Sequence, residues 1–182
     1  SLSPILALLI IMTSIIKANK NNSGLLSEVA KLTFIESHGS CAQPEDVNFY
    51  IAEKYSTGIF EKELINEKNN YYLLYHKNRV AGYSNLILNS PYADSEMENV
   101  AKLERIYLLK EFYDLKLGQA LFEFNIGLAK QNNQKGIWLF VWKENQRAIR
   151  FYTKNGFTIT GSYDFKISET HFNPNHQMFL PL

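Results

Sequence analysis

Lys135 to Phe157 reads KGIWLFVWKENQRAIRFYTKNGF, and no other stretch limits the fold of this chain so strongly. An apolar strand over Lys135 to Trp142 runs straight into a polar turn and a short helix. Asn145 stands where its side-chain oxygen can take a free backbone N–H of the first helical turn. Gly156 stands where the helix must end in a left-handed residue. Strand, turn and capped helix together hold Asn145 and Tyr152 beside the end of a buried strand, which is where α/β proteins bind ligands. Each residue alone has a structural explanation: a cap, a core or boundary aromatic, a helix terminator. At this spacing they read as a site.

A chain of 182 residues fits one domain. Its 46% hydrophobic and 20% charged residues are those of a globular protein. A formal net charge of +1 gives no electrostatic reason to expect nucleic acid or an anionic membrane as partner. With Cys41 the single cysteine, no intrachain disulfide can form, which suits a reducing, cytoplasmic location. No His/Asn pattern of a thiol enzyme surrounds Cys41, so it reads as an ordinary helix-end residue. Residues 1–11 are apolar and uncharged, too short for a membrane span of about 20 residues. They also lack the basic leader and cleavage site of a secretory signal. Met12 is therefore the expected natural start, with residues 1–11 an upstream extension and 12–182 a single domain.

No repeat or linker tract interrupts the rest. Ser14 to Ala18 reads as a strand, and Ser23 to Ile35 as a helix with Leu25, Leu26, Val29 and Leu32 near helical spacing. Pro44 to Asn66 reads as two helical pieces broken near Ser56–Gly58. Tyr71 to Tyr75 and Arg79 to Leu88 form strands joined by a tight turn at His76–Asn78. Asn89 to Asn99 is a polar loop, and Leu103 to Leu109 a strand. Leu117, Leu121, Phe124 and Leu128 mark a helix of about 14 residues. After the opening stretch, Phe157 to Phe165 and Gln177 to Leu180 complete about seven strands. The order describes an α/β (α+β) domain: a mixed, mostly antiparallel sheet with helices on both faces.

The strand–turn–helix at Leu103–Leu128 offers a second constellation. Free N–H groups at a helix start form an anion site. Gly118 lets a phosphate approach the backbone and Lys116 adds charge; a lone glycine there also reads as a packing residue.

LERIYLL at Leu103–Leu109, YDLKLGQALFEF from Tyr113 and the opening stretch resemble the acetyl-CoA-binding half of the GNAT N-acetyltransferase superfamily. YLLYHKNRVAGYSNL at Tyr72–Leu86 and the tail GSYDFKISETHFNPNHQMFL resemble its bacterial spermidine/spermine acetyltransferase-like branch. The superfamily's phosphate loop reads Gln/Arg-x-x-Gly-x-Gly/Ala; here Tyr113 and Lys116 replace the leading polar residue and the first glycine, and Gly118 alone matches.

The resemblance implies acetyl-CoA as cosubstrate, no metal, and a small-molecule amine as acceptor, with homodimers common. Such transfer needs a neutral amine, a stabilised oxyanion in a tetrahedral intermediate and a proton for the departing thiolate. By resemblance, Ile106 and Leu108, with Tyr107 between them, offer backbone groups to the pantetheine arm and acetyl carbonyl. Lys116, Leu117, Gly118, Gln119 and Ala120 surround the pyrophosphate, and Asn145 bonds pantetheine or a water. Tyr152 is the expected acid. Glu104 is the candidate base through water, or else pairs with Arg105 or another cation. Asp94, Glu96, Glu98 and Asp164 stand as an acidic lining for a polyamine, or as solvated loop residues. Tyr72, Tyr83, Trp142, Tyr163 and Phe165 read as amine-pocket or core aromatics. A peptide N-terminus as acceptor, and a non-catalytic acetyl-CoA-binding role, stay open at this stage.

Overall fold

A computed structural model describes residues 12–93 and 95–182. The apolar run 1–11, and with it the reading of Met12 as natural start, lies outside the described residues, as does Asp94. The chain forms β1 (Thr13–Lys17), α1 (Ser23–His38), α2 (Pro44–Lys54), α3 (Thr57–Ile65), β2 (Asn69–His76), β3 (Arg79–Ile87) and β4 (Val100–Leu108). It continues through α4 (Leu117–Gln131), β5 (Gly136–Trp142), α5 (Gln146–Lys154), β6 (Thr158–Lys166) and β7 (Phe172–Pro181).

Local chemistry explains the boundaries. Pro44 opens α2 with Glu45 and Asp46 in its first turn, where acidic groups meet the positive end of the helix dipole. Ser56 ends the run by capping α3 through the Ile59 N–H, which splits the two helical pieces. Lys77 and Asn78 both take positive φ, 49° and 60°, the conformation that joins two twisted strands in a two-residue hairpin.

The seven strands lie in the order β1-β2-β3-β4-β5-β7-β6. Every pairing is antiparallel except β4 with β5. Helices α1–α3 cover one face of β2–β4, burying Phe34, Tyr50, Tyr55, Phe60, Tyr71 and Tyr83. Helices α4 and α5 cover the other, over Leu103, Phe122, Leu139, Val141, Phe157 and Met178. Cys41 is buried in the first of these cores, a structural residue. Full burial of one such aromatic or aliphatic side chain contributes about 1.5–3 kcal/mol, so the strands are held mainly from their two faces.

β7 corrects the sequence reading. It begins at Phe172, well before the expected Gln177. Pro174 is tolerated because β5 ends opposite Asn175; just beyond that end the Pro174 carbonyl accepts the Lys143 N–H at 2.9 Å, and the ladder needs no N–H from Pro174 in return.

Candidate active site

The site exists because two parallel strands separate. β4 and β5 pair only from Val100–Lys102 to Gly136–Trp138. Beyond that point β5 stays bonded to β7 as far as Trp142, while β4 stays bonded to β3 as far as Leu108. The two strands diverge and leave a slot that widens into a cleft of about 440 Å³. A register shift between Asn85 and Leu86 leaves Glu104 without a partner on β3, the mark of a bulge that bends β4 away.

Backbone alternation decides which groups face the slot. The Leu109 N–H bonds to the Ala81 carbonyl at 2.9 Å, so Tyr107 and Arg105 also direct their backbone groups toward β3. Those of Ile106 and Leu108 point the other way, into the gap left by β5. The expectation for these two residues therefore has a geometric basis in the strand itself.

Tyr152 enters from α5, is 9% exposed and lines the cleft with Asn145 and Gly118. Burial pushes its phenol well above the usual tyrosine range, with no partner contributing. The Asn145 side-chain oxygen accepts the Ala148 N–H at 3.1 Å, so the cap is real and its amide NH₂ is left to face the cleft.

At the start of α4, Lys116 takes a left-handed conformation, φ 59°, and Asp114 another at 64°. Lys116 thus holds by force the backbone shape that glycine adopts freely, at a cost of about 1–2 kcal/mol. No side chain caps the helix. The Ala120 N–H bonds to the Lys116 carbonyl at 3.1 Å, which corrects its expected part in anion binding. The free donors of this turn belong to Leu117, Gly118 and Gln119, none of which has a backbone partner among the described residues. The Leu117 side chain is core, and the Gln119 side chain is tied to Asn155 at 2.9 Å, so both can serve through their backbone alone.

Glu104 lines the cleft, but its carboxylate is paired with Lys102 at 2.5 Å, and Lys102 lies over the Trp138 and Phe140 rings. Arg105 is not its partner. The guanidinium turns to Glu63 at 3.0 Å and to the Tyr71 hydroxyl, over the rings of Tyr55 and Phe60. Among the described acidic candidates, Glu96, Glu98 and Asp164 are exposed and do not line the cleft. Of the aromatics, Trp142 and Phe165 line it; Tyr72 packs on Phe124, Tyr83 is core, and Tyr163 stacks on Phe140 outside it.

Sequence reasoning missed two residues here. Arg147 on α5 stacks on the Tyr113 ring, 3.4 Å from its centroid, so the residue replacing the loop's usual polar group is covered by a cation at the slot. His38, the last residue of α1, also lines the cleft. The Ser37 hydroxyl gives its single proton to the Thr33 carbonyl at 2.6 Å, so the 2.7 Å contact to His38 Nδ1 must be donated by the ring. Nε2 then carries the lone pair. Burial lowers the His38 pKa to about 4, so the ring is neutral at physiological pH. No local pattern marks either, because their meaning comes from strands and helices far apart in the chain.

Comparison with known proteins meets this geometry. The model of the acetyltransferase (GNAT) family matches residues 32–157, from within α1 to the end of α5 and its terminator. The chain belongs to that family. It is 28% identical over 141 residues to an uncharacterized N-acetyltransferase from the pepI 3′ region of Lactobacillus delbrueckii subsp. lactis, covering 78% of this chain and 82% of that one. It is 28% identical over 145 residues to a spermidine N(1)-acetyltransferase of Thermoplasma acidophilum, covering 77% and 86%. The structure of PaiA N-acetyltransferase from the same organism, in complex with coenzyme A, superposes with a TM-score of 0.77 at 21% identity, over 93% of this chain and 99% of that one. The fold class is therefore that of the family, and the chain is an acetyl-CoA-dependent N-acetyltransferase. No helix among the described residues is long and apolar enough to cross a membrane.

Proposed function

We propose that this acetyltransferase moves the acetyl group of acetyl-CoA to a primary amine by direct attack, with the β4–β5 slot holding the thioester. The observation that carries the reading is the divergence of β4 from β5 after Lys102, which turns the Ile106 and Leu108 backbone groups toward the Tyr152 side. Acetyl-CoA supplies an acyl carbon and a thiol leaving group, and the chain's residues position both and manage the protons. The Ile106 and Leu108 groups bond the pantetheine arm and the carbonyl oxygen where negative charge develops. Asn145 offers its free amide to the same arm. The N–H groups of Leu117, Gly118 and Gln119, with Lys116 beside them, meet the pyrophosphate.

In the transfer, the amine nitrogen bonds to the acyl carbon to give a tetrahedral intermediate, whose collapse breaks the carbon–sulfur bond. The amine's proton leaves toward Glu104 through water, and the sulfur takes a proton from the Tyr152 hydroxyl. Burial keeps that phenol protonated through the neutral range, which is the state an acid needs. Lys102 pairs with the Glu104 carboxylate at 2.5 Å and holds it in place at the cleft.

Similarity to the spermidine acetyltransferase puts polyamines among the acceptors to be tried. Release of free thiol from acetyl-CoA, measured across spermidine, spermine, lysine peptides, aminosugars and amino-acid amides, tests the reading. A chain that binds acetyl-CoA in a calorimeter and releases thiol with one amine of the panel supports it. Absence of acetyl-CoA binding sinks it.

A further inference from the structure

We infer that the acceptor is the α-amino group of an aromatic or apolar residue, an amino-acid amide or a peptide N-terminus, seated against His38 and Trp142. The inference rests on the transfer reading above and names the class of amine. A polycation needs carboxylates, and among the described residues the acceptor side of the cleft does not present an unpaired one. Its single lining carboxylate, Glu104, is already paired with Lys102, and Lys54 stands at the same cleft. Arg105 is occupied by Glu63, so no acidic excess is left over for an alkylammonium.

What the cleft does present is aromatic surface. The His38 ring stacks on Phe34 at 5.0 Å between centroids and lies 5.7 Å from Trp142 and 6.1 Å from Tyr107. Tyr50 continues this wall, 5.0 Å from Phe34 and 6.2 Å from Phe165. A flat apolar side chain gains most by entering such a wall. Within it, His38 Nε2 is a hydrogen-bond acceptor with no partner among the described residues, since Nδ1 holds the ring's proton. An uncharged amine donates to it; an ammonium ion would be stripped of water for one neutral partner.

Amine chemistry points the same way. At pH 7 an α-amino group of pKa about 7.8 is roughly 14% neutral, against about 0.04% for an alkylamine of pKa about 10.4, a ratio of about 350. A cleft with no spare negative charge keeps that full difference. The desolvation that lowers the His38 pKa to about 4 acts on any bound ammonium in the same sense.

The test compares kcat/KM for phenylalaninamide, alaninamide, 2-phenylethylamine, spermidine and a short peptide beginning with Phe. Phenylalaninamide is expected to exceed alaninamide by at least about tenfold, from the aromatic contact. It should exceed 2-phenylethylamine by at least about 30-fold at pH 7, the gap narrowing about tenfold by pH 9 as the alkylamine loses its proton. The groups facing His38 do not produce that change. Tyr50 on α2 is pushed up to about 12, burial raises Tyr107 on β4 well above the usual tyrosine range, and Trp142 on β5 does not titrate. Lys54, Lys102, Glu104, Arg105 and Arg147 are the charged groups of the same cleft and are common to every acceptor in the comparison. His38→Ala should raise KM for phenylalaninamide at least about tenfold and leave acetyl-CoA binding unchanged, while His38→Gln, which keeps an acceptor atom, recovers part of the loss. The peptide arm tells the two sources of the α-amine apart. Preference for spermidine or 2-phenylethylamine over phenylalaninamide overturns the inference, as does thiol release with none of the panel from a chain that binds acetyl-CoA. Failure to bind acetyl-CoA overturns the transfer reading instead.

Discussion

Replacing Tyr152 by Phe removes one oxygen atom from the slot and nothing else. The side chain is 9% exposed and packs edge-on against Phe151 and Phe157, contacts that Phe keeps. No hydrogen bond contributes to the state of its hydroxyl, so the substitution breaks none, and folding stability should change by less than about 1 kcal/mol. The loss falls on chemistry. Without a donor, the sulfur must leave as a bare thiolate inside a dry slot. Loss of a positioned acid lowers rates by about 10²–10⁴-fold, which is about 3–5 kcal/mol of barrier. Turnover at saturating acetyl-CoA and amine should drop by that factor, while acetyl-CoA affinity measured by calorimetry stays within about threefold. The deficit should narrow above pH of about 8.5, where a free thiol no longer needs the proton. The wild-type enzyme should show no loss of the acid form below pH of about 10, because burial raises the Tyr152 pKa. Full turnover by Tyr152→Phe at saturating substrates would refute the assignment.

Other consequences follow from single residues. Gly118→Ala places a Cβ 3.4 Å from Leu108 Cδ1, an ordinary contact, so the melting temperature should hold while coenzyme A affinity falls at least about tenfold; unchanged affinity would put the phosphates elsewhere. Lys116→Gly releases the left-handed strain and should stabilise the chain by about 1 kcal/mol in urea unfolding, with coenzyme affinity weakened at low salt and less so at high salt. Arg105→Met leaves the half-buried Glu63 and the buried Tyr71 hydroxyl without their cation, a cost of about 1–3 kcal/mol read from the same unfolding curves. Burial raises the pKa values of Tyr50, Tyr55, Tyr71, Tyr83 and Tyr107. Above pH of about 10 the unfolded chain gives up these protons and the folded chain keeps them. Stability present below that pH is then lost by about 1.4 kcal/mol per pH unit for each residue. Loss of circular dichroism should therefore coincide with the appearance of tyrosinate; tyrosinate forming in a chain that stays folded would count against the burial.

Local chemistry made most of the fold legible. A capping serine, a Pro-opened helix, a two-residue hairpin turn and the apolar strand before Asn145 each announce themselves within a few residues. β7 did not, because Pro174 is acceptable only where β5 has already ended, a fact about a neighbouring strand. The same boundary runs through the site. Asn145, Tyr152 and Gly118 stand out in sequence because caps and turns use local spacing. Three questions needed the folded geometry although their partners lie close in sequence, because spacing does not fix where a side chain turns: which cation holds Glu104, whether Ala120 keeps a free N–H, and which nitrogen of His38 bears the proton. The sequence by itself determined that a strand, a polar turn and a capped helix would bring an amide and a phenol to one strand end. Tertiary structure alone decided that β4 would part from β5 there. A slot between two strands depends on where their mutual hydrogen bonds stop, and neither strand encodes that point on its own.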